Sequence, residues 1–285
     1  MRKIREIYDK LNRKNVILII GAVITAFLIF IIIFAPLLEP YDPTKMKMSD
    51  KFLPPSPAHW FGTDHMGRDI LSRVIEGSRI SLTTAMVVVL LSAFIGTMIG
   101  LISGFAGGAL DTVLMRIVDV MLSFPTIVFA LAISNFLGTG QINLIIAICC
   151  VQWVRYARVA RGEALVLKNA EYMEAAKSIG TSSTQMLFKY FFPNVISRIL
   201  IMVSLDIGSI ILYCASLSFL GLGAQPPSPD WGSMISDGKS YIQYAPWIAI
   251  FPGVAIAVSA LGFNMMGDGI RDLLDPRMRE SVQSE

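Results

Sequence analysis

Long uncharged stretches separated by short charged ones set the pattern of this chain. No charged residue occurs in Val16–Leu38, Ile80–Leu110, Val120–Val154, Ile207–Pro229 or Tyr241–Gly267. These stretches are continuous apolar runs rather than alternating ones, which excludes a β-barrel. A bilayer-spanning helix needs roughly 20 mostly apolar residues. Val120–Val154 is too long for one span, and the turn-forming run Gly138-Thr139-Gly140-Gln141-Ile142-Asn143 divides it. The pattern predicts an all-α integral membrane protein with six helices, at about 16–38, 82–106, 113–137, 142–160, 196–221 and 247–267.

Two further stretches read as shorter helices. Ile70, Leu71, Val74 and Ile75 form an apolar stripe at helical spacing, with Arg68, Asp69, Arg73 and Glu76 on the other face. That suits a helix lying in the membrane interface, or equally one packed on protein, with Thr63 or Asp64 as its cap. Between the fourth and fifth spans, residues 170–179 and 182–192 predict a pair of helices. Gly180 ends the first in a left-handed conformation, and Ser182 with Gln185 starts the second at capping-box spacing.

Composition agrees with the membrane reading. Hydrophobic residues make up 54% and charged residues 16% of the 285, against about 25% charged in soluble domains. Charge then orients the chain. With the N-terminus inside, the inner segments carry 17 of the 24 lysines and arginines. The excess predicts an N-in, C-in arrangement. The first apolar run is about 20 residues, longer than the 7–15 of a signal peptide, and reads as an uncleaved helix. Segment 39–66, with Pro40, Pro43, Pro54, Pro55 and Pro57, reads as extended extracellular chain. Residues 1–80 are taken as an N-terminal region and 81–285 as a core domain of five transmembrane helices, with a cytoplasmic loop at about 168–194.

Little in the chain points to catalysis. There is no Gly-x-x-x-x-Gly-Lys-Ser/Thr phosphate loop, and no metal-ligand spacing. Cys149, Cys150 and Cys214 read as small buried apolar residues, and His59 and His65 as exposed loop histidines. Nothing suggests nucleic-acid binding. Ionisable residues inside spans are candidates for a pathway or for subunit contacts. Asp119 lies three residues from Arg116, which makes an ordinary pair with it. Asp206 lines a pathway or bonds a neighbouring helix. The outer loop 223–246, with Pro227 and Trp231, contacts an extracellular partner or caps an outer gate, or is a solvated loop with its tryptophan at the membrane interface.

Four ordered motifs give the pattern a family. Glu174-Ala175-Ala176, then Gly180, then Pro193 thirteen residues later resembles the docking loop of ABC importer permeases. Gly62-Thr63-Asp64 with Gly67-Arg68-Asp69, just before the second span, resembles the C-type permease subunit of dipeptide, oligopeptide and nickel importers. Ser216–Gly223 with Pro226, Pro227, Trp231 and Gly232 resembles that family's fifth helix and outer loop. Asn264–Asp272 with Asp275-Pro276-Arg277 resembles its C-terminal end. Tyr190 and Phe192 depart from the usual isoleucine and leucine, so the packing of the loop's second half is less fixed by the resemblance.

The resemblance implies a type I ABC importer permease fold in the plasma or inner membrane. It implies a homologous second (B-type) permease, two ABC ATPase subunits, an extracellular solute-binding protein and surrounding lipid. ATP and Mg would be used by the ATPase subunits, with no cofactor or metal held by this chain. Glu171, Glu174, Ala175, Ala176, Gly180 and Pro193 are the expected ATPase-docking residues. By their helical spacing Leu187, Phe188, Phe191 and Phe192 are expected to anchor the second helix, and Pro193 to redirect the chain before the fifth span. Dipeptides, longer peptides, glutathione-like compounds and nickel chelates all remain open as cargo. The alternative is a secondary transporter or channel that works without ATP; for the loop alone, the bland alternative to docking is a cytoplasmic hairpin with no partner, which the other motifs disfavour.

Overall fold

In hydrocarbon every backbone N–H and C=O needs a partner within the chain, and a helix supplies all of them locally. Apolar runs of this length therefore fold as helices. The computed structural model describes residues 2–274, and the Asp275-Pro276-Arg277 motif lies outside the described residues. The chain forms α1 (Arg2–Leu38), α2 (Ile70–Ala106), α3 (Gly108–Leu122), α4 (Thr126–Leu137) and α5 (Gln141–Lys168). It continues with α6 (Glu171–Ser178), α7 (Ser183–Phe219), α8 (Trp231–Gly238) and α9 (Trp247–Leu274).

Five of these helices are long and apolar enough to cross a membrane, and the count is six if the bent pair α3–α4 makes one span. That pair corrects the straight helix expected at 113–137. It bends by 95° across Ser123-Phe124-Pro125, because a proline cannot continue the hydrogen-bond ladder and disfavours a helical residue before it. The helix predicted over Ile70–Glu76 is likewise not separate, since α2 runs unbroken from Ile70. α5 continues past residue 160 through its charged end to Lys168. Charge ends an apolar run without ending a helix.

The fold divides into two compact units. One gathers the described residues of Met1–Met86, Leu137–Ile145 and Ser204–Glu285; the other gathers Val87–Phe136 and Ile146–Val203. In the first, α1 lies on α9 through small residues. A Cβ at Gly21 would stand 2.4 Å from Met266 N, and Gly262 and Gly269 admit Ile24 and Leu18. In the second, Gly96, Gly100 and Gly104 of α2 recur one turn apart. Cβ atoms there would meet Trp153 O at 2.2 Å, Ala157 O at 2.3 Å and the Ala164 side chain at 2.7 Å on α5. Lipid is as apolar as leucine, so close backbone approach rather than burial of apolar area holds such helices together.

Candidate functional site

The loop between α5 and α7 belongs to the second unit. α6 ends as expected: Gly180 has φ +81°, and Thr181 N donates to Ala176 O at 3.2 Å. That is a Schellman closure. Ser182 then caps α7, its Oγ accepting from Gln185 N at 3.3 Å. The two arms are held from below. Met173, Met186, Phe191, Val195 and Ile199 are buried with Ala93, Leu101, Tyr156, Ala160 and Ala164. Phe191 meets Phe105 edge-on at 5.3 Å.

What the loop turns outward differs in three places from expectation. Glu171, Glu174, Ala175 and Gly180 are exposed, but Ala176 is buried and packs inward. Phe188 is 56% exposed and lies outside the described core cluster that holds the loop. Pro193 does not redirect the chain, since one helix continues from Ser183 to Phe219. The reason is a π-helical turn over Met186–Phe191, in which Phe192 N donates to Leu187 O, five residues back. The wider turn relieves the clash a proline ring makes with the carbonyl four residues before it.

A set of ion pairs surrounds the base of the loop, which motif reading alone did not find. Arg161 binds Asp111 through both carboxylate oxygens, at 2.8 and 2.7 Å. Ser103 Oγ donates to the same carboxylate at 2.5 Å. Arg198 pairs with Glu163 at 2.6 Å, and Lys168 Nζ donates to Phe105 O at 2.9 Å. Asp119 pairs with Arg158 of α5 rather than with Arg116. The sequence signal was the arginine spacing at 155, 158 and 161, which places the three on one face of α5.

The motif before the second span folds into a knot in the first unit. Asp64 Oδ1 accepts from Met66 N at 2.8 Å and Arg68 N at 3.0 Å, while its Oδ2 accepts from Arg68 Nε at 2.6 Å. Arg73 stands 3.7 Å from the same oxygen and donates to Pro43 O at 3.0 Å. Asp69, not Thr63 or Asp64, caps α2: its Oδ2 accepts from Ser72 N and Oγ, each at 2.8 Å. Its other oxygen faces His59 Nδ1 at 2.8 Å. His59 is therefore buried, and Arg68, Asp69 and Arg73 are buried instead of forming a solvated face. Trp247 Nε1 donates to Thr63 O at 3.1 Å. Gly62 and Gly67 make the turns, and a Cβ at Gly67 would overlap Lys47 O at 1.9 Å.

The remaining candidates separate. Trp231 is buried, its indole Nε1 donating to Val74 O at 2.9 Å and its amide to Ser81 Oγ at 3.1 Å, so it is a structural residue and not a surface contact. Ser81 Oγ in turn donates to Asp230 at 2.7 Å. Pro227 is exposed. Asp206 is buried in the first unit at 6% exposure. Of the cysteines, Cys149 and Cys214 are buried and Cys150 is exposed.

A multi-pass helical membrane protein with a partly buried loop and an outward acidic face is the class that fold and site define. More particularly, the model of the binding-protein-dependent transport system inner membrane component family matches residues 96–280, and that of the N-terminal TM domain of oligopeptide transport permease C matches residues 13–55. The chain belongs to the binding-protein-dependent transport system inner membrane component family. Membership implies a solute-binding protein and an ATPase as partners. The chain is similar to the probable D,D-dipeptide transport system permease protein DdpC of Escherichia coli (strain K12), 44% identical over 257 residues, covering 90% of this chain and 86% of that protein. It is 42% identical to the dipeptide transport system permease protein DppC of Alkalihalophilus pseudofirmus over 96% of this chain and 90% of that one. It is 39% identical to the oligopeptide transport system permease protein OppC of Bacillus subtilis (strain 168), over 94% and 88%.

Proposed function

We propose that this chain is the C-type permease subunit of an ATP-driven importer of peptides. In this reading it forms half of a translocation path with a homologous B-type permease. One of two ATPase subunits docks on the loop at 168–194 from the cytoplasm, and an extracellular binding protein delivers cargo to the opposite side. ATP binding closes the ATPase pair, the loop moves with it, and the spans rock between inward-open and outward-open arrangements. This chain takes no part in the hydrolysis. ATP and Mg act on the ATPase subunits.

The observation that carries the reading is the outward face of α6. Glu171, Glu174 and Ala175 stand exposed on a short helix fixed from beneath by Met173 and Ala176. The inside excess of lysine and arginine favours the cytoplasmic side for this loop. Peptide as cargo is supported by the names of the relatives, which are dipeptide, D,D-dipeptide and oligopeptide permeases.

Uptake of a labelled dipeptide by cells expressing the complex tests this. Uptake is expected to stop when ATP is depleted and to survive collapse of the ion gradient. The reverse result would establish a secondary transporter. Addition of unlabelled oligopeptide, glutathione or a nickel chelate as competitor then ranks the cargo classes.

A further inference from the structure

The outward surface of α6 is two stripes, not one. Residues three and four apart share a helix face, so Glu171, Glu174 and Ser178 form one stripe and Tyr172, Ala175 and Ile179 the next. Ile179 keeps the helical register, its N–H donating to Ala175 O at 3.2 Å. Behind both stripes, Met173 and Ala176 are 0% and 4% exposed. The first stripe is acidic. The second places a small residue between two large apolar ones, and those two are open: Ile179 is 79% exposed and Tyr172 47%. Among the described residues, no other large apolar side chain outside the five long helices and the bent pair α3–α4 is as exposed as Ile179.

Such a surface needs a cover, and its charge selects one. Exposed apolar side chains clustered on a polar segment mark a contact site. Anionic headgroups are repelled by the adjoining glutamates, and a second copy would set like charges against each other. Resting on the docking reading above, we infer that Tyr172 and Ile179 are the two apolar anchors of the ATPase contact. Ala175 is the notch between them that admits an apolar ridge of the ATPase, and Glu171 and Glu174 face basic side chains along its rim. Interfaces of this kind concentrate their affinity in a few apolar or aromatic anchors, with rim charges governing association rate and salt dependence.

The test purifies the complex through a tag on this chain and measures ATPase subunits and ATP hydrolysis per tagged chain. Ile179→Asp and Tyr172→Ala are each expected to lose tenfold or more of the bound ATPase, and Ala175→Leu to lose a similar amount by filling the notch. Ile179→Leu should retain it. Because the altered residues are exposed, the melting temperature of the tagged chain should stay as in wild type. A photo-crosslinking side chain at Ser178 should give an adduct with the ATPase; an adduct with lipid or a second copy overturns the inference. Gly180→Val distorts the turn without touching either stripe. If it releases the ATPase while Ile179→Asp and Tyr172→Ala keep it within twofold, the anchors are wrong and docking stands. If all three keep it, the docking reading itself fails.

Discussion

The knot at residues 59–73 and the loop at residues 171–182 both look like signatures in the sequence, and they do opposite things in the fold. In the knot every charge is turned inward and answered. Asp64 holds two arginines, and Asp69 holds a histidine and a helix start. In the loop one helix end is closed by a backbone bond and the next helix start by the Ser182 hydroxyl, while the glutamates and two large apolar side chains are left open to the outside. A motif whose chemistry is consumed internally is there to build the protein. A motif whose local structure is complete and whose side chains are still unspent is there to meet something else.

Variants should separate the two sharply. The largest effect is expected from Asp64→Ala, which leaves Arg68 buried without its ion-pair partner and Arg73 with only the more distant charge of Asp237. Breaking a buried pair from one side costs about 3–5 kcal/mol. Thermal melting of the purified chain should fall accordingly, with less protein reaching the membrane. Gly100→Leu comes next. Its Cβ alone would stand 2.3 Å from Ala157 O, and overpacking costs about 1–3 kcal/mol, read as a lower melting temperature with the loop intact. Glu174→Lys should change melting by under about 0.5 kcal/mol, as exposed substitutions do, yet sharply reduce ATPase association and uptake. A Glu174 variant that melts early while keeping its ATPase would erase the distinction between the two regions.

The smallest effect is a pH slope near the knot. Burial first, and then the neighbouring Glu76 carboxylate, push Glu39 up to about 7, against about 4.3 for a free glutamate. Between those two values the folded chain keeps a proton that the unfolded chain has lost. This group therefore favours folding most at the acid end and progressively less as pH rises to about 7, above which its contribution is flat. Glu39→Gln should flatten that part of a stability-versus-pH curve. An unchanged slope would mean that Glu39 titrates normally.

The sequence by itself determined that the chain is helical and membrane-embedded, where its apolar runs lie, and where the loop turns at Gly180 and restarts at Ser182. These follow from local causes: run length against bilayer thickness, a glycine's access to positive φ, and a hydroxyl three residues before the amide it caps. Only the tertiary structure decided which side of each helix is spent. Ala175 and Ala176 are indistinguishable as letters, yet one faces out and the other lies over the core beside Met173. Trp231 reads as an interfacial residue until Val74 O and Ser81 are brought to it from about 150 positions away. Asp119 stands three residues from Arg116, but the partner it takes is Arg158, 39 residues on. Burial and pairing depend on what other helices bring to a residue, and that distance in sequence is what a local pattern does not carry.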